Sequence, residues 1–112
     1  MKTSLVALAG AAALLAVGSA HAADMVTLQL KWVADAQFAG YYVAKDKGFY
    51  KDENLDVTIK PGGPDIAPEQ VLVGGGADVV VDWMPAALAA REKGAEMVNI
   101  AQPFKRSGLE LT

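Results

Sequence analysis

The feature that most constrains this chain is a short apolar run leading directly into the stretch Lys31–Tyr50, KWVADAQFAGYYVAKDKGFY. That stretch contains a helix start, body and stop. Asp35 supplies a carboxylate for the free N–H groups of a first turn, and Phe38, Tyr41 and Tyr42 recur at helical spacing. Gly48 can take the left-handed position that closes a helix. A strand running straight into a helix is the unit from which open α/β sheets are built, and such sheets hold small ligands beyond the carboxyl ends of their strands. The spacing predicts a first strand at Thr27–Trp32 and a first helix at Asp35–Lys47, with Trp32, Asp35 and Gln37 at the junction.

The pattern repeats downstream. Leu55–Lys60 places Val57 and Ile59 on one face and reads as a second strand, closed by Pro61-Gly62-Gly63-Pro64. A second helix is expected from Asp65, acting as its cap, to Val73; Pro68 is tolerated in a first turn, where no helical hydrogen bond is lost. Gly74-Gly75-Gly76 follows a helix and precedes a strand, the reverse of a phosphate-binding loop, and reads as a helix stop. Ala77–Val81 is a third strand whose Val79-Val80-Val81 run suits burial within a parallel sheet. A third long helix runs from about Pro85 to Gly94, Met97–Ala101 is a fourth strand, and Leu109–Thr112 opens a fifth. The fold class is therefore α/β, a parallel sheet with helices on both faces.

Before this pattern begins, Met1–Ala22 reads as a cleaved secretory signal. Lys2 gives the positive start, Leu5–Val17 the apolar core, and Ala20-His21-Ala22 the small-x-small cleavage site. The apolar run is shorter than the ~20 residues of a membrane span. Cleavage leaves residues 23–112, 90 residues, enough for one modest α/β lobe. Loss of Lys2 moves the formal charge from −3 to −4, and a mildly acidic chain without a basic run is not built for nucleic acid. The absence of cysteine excludes disulfides, thiolate zinc sites and cysteine nucleophiles, and the only histidine, His21, leaves with the leader. No catalytic residue, metal ligand or cofactor is assigned. The leader ends without a lipobox cysteine, which places the expected compartment in a Gram-negative periplasm.

The candidate ligand contacts fall at the predicted strand ends: Trp32 after the first, Gly63 within the turn after the second, Asp82 and Trp83 after the third, with Asp35 and Gln37 at the first helix start. Two indoles can enclose a flat ring, and a carboxylate can accept hydrogen bonds from its N–H groups. Such a set suits a neutral or cationic heteroaromatic better than an anion, which would want a free helix N-terminus and Arg or Ser/Thr donors. Tyr41 and Tyr42 point about 100° apart on a helix, so at most one is expected to face a cleft. The charge run Lys45, Asp46, Lys47, Lys51, Asp52 and Glu53 reads as a solvated face.

The segments LKW, FAGYYVAKDKGFYK and LDVTI, continued by GGPDIAPEQVLVGGGADVVVDWMPAALAAREKGAEMVNIAQPF, resemble the opening of NMT1/THI5-like (SsuA/THI5-like) periplasmic solute-binding proteins. The resemblance implies a type II periplasmic-binding-protein fold of two lobes, of which this chain would be an incomplete first lobe. It implies a small-molecule ligand, delivery to an ABC permease in the inner membrane, and a monomeric full-length protein. A lobe lacking later strands is expected to expose an unpaired edge and to be unstable or prone to associate by itself. Thiamine-pyrimidine precursors are the first substrate expectation, ahead of riboflavin, sulfonates, nitrate and taurine, although Lys31-Trp32 departs from the Asn-Trp pair of pyrimidine binders in the group. The same superfamily holds THI5-type pyrimidine synthases, which use a lysine, a histidine, pyridoxal phosphate and iron. Their pattern places Asp82 at the lysine and Ala86 at the histidine. The expectation from the residues is therefore a binding protein and not an enzyme.

Overall fold

The computed structural model describes residues 22–104, so the predicted leader and the fifth strand at Leu109–Thr112 lie outside the described residues. The elements in chain order are β1 (Asp24–Gln29), a 3-10 turn (Ala36–Phe38) leading into α1 (Ala39–Asp46), α2 (Phe49–Asp52), β2 (Leu55–Lys60), α3 (Pro68–Val73), β3 (Val79–Val80) and α4 (Met84–Glu92). The three strands form one parallel sheet in the order β2-β1-β3. The chain is thus α/β. It moves from β1 to β2 in one direction and returns across β1 to reach β3. The connection from β1 to β2 carries α1 and α2, which pack on β2, and the return from β2 to β3 carries α3, which packs on β3.

Register explains the core. Val26 lies opposite Val57, and Leu28 lies between Ile59 and Val79. Alternate residues of all three strands therefore share one face. On that face Leu28, Leu30, Phe38 and Val57 are buried, with Tyr41, Tyr42, Tyr50, Leu55, Ile59 and Val81 packed around them. Each buried Leu or Phe side chain contributes about 1.5–3 kcal/mol, and Leu30, wholly excluded from solvent, sits where β1 ends and the site begins. Tyr41 and Tyr42 thus both pack on this core, and Tyr41, with Tyr50, also borders a cleft.

The second strand lies where the sequence predicts it, whereas the helix signalled at Asp35 opens as a 3-10 turn and α1 proper begins only at Ala39, with Phe38 as a cap that makes no side-chain bond. Asp35 is extended and its carboxylate accepts from the Gln37 N–H, while Gly48 closes the helix at φ 81°. The glycine triplet is a helix stop, with the Gly75 N–H donating to the Leu72 carbonyl and the Gly76 N–H to that of Val71.

Four further departures from expectation have local reasons. The first strand runs Asp24–Gln29 instead of Thr27–Trp32. Pairing begins as soon as β2 leaves its turn, the Asp24 N–H donating to the Asn54 carbonyl, and the ladder's last bond runs from Leu30 N–H to Lys60. Asp65 does not cap α3. Pro68 at the first helical position holds Ala67 extended (φ −98°, ψ 100°), so the helix cannot start earlier. The third strand is confined to Val79–Val80, although bonds from Asp78 N–H to Thr27 and from Val81 N–H to Gln29 extend the contact by a residue at each end. Met97–Ala101 is not a strand. The Arg91 guanidinium takes the Met97 carbonyl and the Asn99 side chain takes the Ala101 N–H, local bonds that compete with a ladder, and Val98 and Ile100 face solvent.

Candidate functional site

Parallel pairing delivers three chain segments to one edge of the sheet: Lys31–Trp32 after β1, Pro61–Gly63 after β2 and Val81–Trp83 after β3. Gln29 ties the first two together. It is buried, and its side-chain amide donates to the carbonyls of Leu30, Lys60 and Pro61 at 3.1, 3.3 and 3.0 Å. Gly62 permits the close approach. Its N–H donates to the Trp32 carbonyl at 2.8 Å, and a Cβ there would collide with the Leu30 carbonyl oxygen and lie 2.6 and 2.7 Å from the Lys31 carbonyl carbon and oxygen. Gly63, beside it, is buried and starts the turn to Ile66.

At the centre of this edge the Lys31 Nζ meets Asp82 Oδ1 at 2.8 Å, with the two side chains 20% and 5% exposed. The same oxygen accepts the Trp83 N–H at 2.8 Å, whereas Oδ2 is shut off from solvent and has no hydrogen-bond partner among the described residues. The ammonium also lies 5.6 Å from the centre of the Trp83 ring, a cation–π contact. Asp82 is not a helix cap: α4 begins after Trp83, which caps it without a side-chain bond. Both indoles remain open, Trp32 at 43% and Trp83 at 65% exposure. The ring contact seen at Trp83 is with Lys31, not with the other tryptophan.

Asp35 and Gln37 form a second group at the helix start, where the Gln37 amide donates to Asp35 Oδ2 at 3.1 Å. Gln37 borders an apolar cleft of about 470 Å³ along α1, shared with Gly40, Tyr41, Ala44, Tyr50, Pro103 and Phe104. Burial raises the Tyr41 phenol above its usual range; for Tyr50 burial acts first and the neighbouring Tyr41 adds to it. The structure therefore joins Asp82 and Trp83 through Lys31 and sets Trp32 and Gly63 beside them, while Asp35 and Gln37 engage one another. Sequence reading passed over Lys31 and Gln29 as site residues. The only local signal was a lysine standing where an asparagine was expected before Trp32.

A parallel sheet with helices in its connections makes this an α/β protein, with exposed aromatics and a largely buried charge pair beyond its strand ends. More narrowly, residues 35–111 match the family described as NMT1/THI5 like, and the chain belongs to that family. Among curated proteins it is similar to the 4-amino-5-hydroxymethyl-2-methylpyrimidine phosphate synthase of Candida albicans, 36% identical over 87 residues, which cover 72% of this chain and 25% of the relative. It is also similar to the formylaminopyrimidine-binding protein of Halalkalibacterium halodurans, 30% identical over 82 residues, covering 72% of this chain and 24% of the relative. The chain spans about a quarter of the length of these relatives. No solved structure matches it. The synthase match corrects the expectation that the chain stands apart from enzymes: the family spans binding proteins and synthases, and the departures at Asp82 and Ala86 do not remove the likeness to a synthase.

Proposed function

We propose that this chain forms one wall of a site for a pyrimidine-type ring and that the protein carrying it is the periplasmic binding component of an ABC importer for a thiamine-pyrimidine precursor. The observation that carries the reading is the strand-end cluster: the Lys31–Asp82 pair with the exposed Trp83 indole beside its ammonium, and an exposed Trp32 next to Lys31 in the chain. The indole faces offer stacking area at low entropic cost, and the pair offers polar recognition at the ring's edge. The formylaminopyrimidine-binding relative supports the ligand class. In this reading the first lobe holds the ring, the rest of the protein closes over it, and the closed monomer is what the permease engages. Secretion to the periplasm, by way of the leader read at Met1–Ala22, belongs to the same proposal.

The second reading, favoured by the 36% identity to a pyrimidine phosphate synthase, is an enzyme that makes such a ring. One experiment separates them. The full-length protein is screened by thermal shift against aminopyrimidines, riboflavin, taurine and alkanesulfonates, and, supplied with pyridoxal phosphate and iron, it is analysed by mass spectrometry for pyrimidine phosphate formed without added pyrimidine. Transport binding predicts a shift with aminopyrimidines, equivalent to about 2.7 kcal/mol at a hundredfold excess over Kd, and no product. Product formation establishes the synthase. A shift with sulfonates alone contradicts the ring site.

A further inference from the structure

We infer that Lys31, and not Asp82, is the polar group that meets the ligand, and that it selects rings presenting a hydrogen-bond acceptor at their edge; this rests on the ring-binding reading above. Asp82 is almost fully buried, one carboxylate oxygen is taken by Lys31 and the Trp83 N–H, and the other is closed to solvent. A ligand approaching the strand ends therefore finds little of the carboxylate. Lys31 keeps a fifth of its side chain exposed, and its ammonium lies beside the open Trp83 indole. An ammonium carries three donors and no acceptor, so with one directed at Asp82 the remaining capacity asks for a lone pair. A single carboxylate oxygen fixes the ammonium position while leaving it free to turn. Asp82 is then a positioning residue, and its charge neutralises Lys31 so that the site favours a neutral acceptor, such as a ring nitrogen or carbonyl, without needing an anion. A ring protonated at that nitrogen presents a donor to a donor and loses this hydrogen bond.

The test uses calorimetric titration of the full-length protein with 4-amino-2-methylpyrimidine and with 3-methylaniline, which keeps the shape and the amino group but lacks the ring nitrogens. The expected result is tighter binding of the pyrimidine by roughly 10- to 100-fold, the range for a hydrogen bond to a charged group. Lys31→Met is expected to abolish that ratio and Lys31→Arg to retain part of it. Because Lys31→Met leaves a buried carboxylate unpaired, Lys31→Met/Asp82→Asn serves as the neutral variant, with its fold checked by circular dichroism. Asp82→Asn alone is expected to lower the ratio without erasing it. Equal affinities for the two rings, or an undiminished ratio in the neutral double variant, would overturn the role of Lys31 while leaving ring binding intact. Absence of any binding to the unmodified protein would overturn the ring-binding reading and the inference with it.

Discussion

Removing one member of the Lys31–Asp82 pair gives the most informative stability perturbation. At 2.8 Å the two charges attract by about 6 kcal/mol at an effective dielectric of 20, and most of that gain is offset by taking both groups out of water. The net value of the pair is therefore small, but breaking it is not. Asp82→Asn leaves a largely buried ammonium without its counterion, a change that costs roughly 3–5 kcal/mol in such sites. Lys31 retains one-fifth exposure on a flexible stem and can move its charge toward solvent, which places the expectation near the lower bound, about 3 kcal/mol. Lys31→Met/Asp82→Asn, which removes both charges, is expected to cost less than either single change, so the coupling energy should reach about 3 kcal/mol or more. Urea unfolding followed by far-ultraviolet circular dichroism measures the global effect, and tryptophan fluorescence follows Trp32 and Trp83 locally. Single variants each costing under about 0.5 kcal/mol, with no coupling, would show that the pair behaves as a solvated surface contact and would refute the reasoning.

Two further expectations follow from the same geometry. Gly62→Ala forces a methyl group against the Leu30 and Lys31 backbone, which cannot yield as a side chain can; a loss of at least 1–3 kcal/mol is expected, and urea midpoints unchanged from the parent would contradict it. The raised Tyr41 and Tyr50 phenols bind protons more tightly folded than unfolded, so their contribution is complete below the ordinary tyrosine pKa of 10.0 and is lost as pH rises above it. Stability should fall from about pH 10 upward, and Tyr41→Phe should soften that fall; an identical alkaline profile in the variant would exclude the tyrosine.

The sequence disclosed what depends on neighbours close in the chain. The β2 boundaries followed from Val57 and Ile59 alternating between two turns, and the 3-10 turn that opens the first helix from Asp35, because the relevant partners stand within a few residues. The candidate site was partly legible for the same reason: parallel strands in succession bring their carboxyl ends to one edge, which gathered Trp32, Gly63, Asp82 and Trp83. What escaped was set by register between distant segments. Lys31 pairs with Asp82 across 51 residues only because β1 lies between β2 and β3, and Gln29 became a buried tie because its face of β1 ends beneath the turn after β2. Met97–Ala101 shows the converse. Its alternation describes how a segment would pair if a partner stood beside it, and the local bonds from Arg91 and Asn99 took its backbone groups instead.

The most direct test of ring binding at the strand ends is titration of two full-length variants, Trp32→Phe and Trp83→Phe, with 4-amino-2-methylpyrimidine, reading calorimetry and indole emission together. Each variant removes one indole of the proposed site and retains the other. The account predicts saturable changes in emission that track the calorimetric isotherm in both, with weaker binding than in the parent. Binding of parental strength in both variants, with emission unchanged throughout, would place the ligand elsewhere and contradict the account.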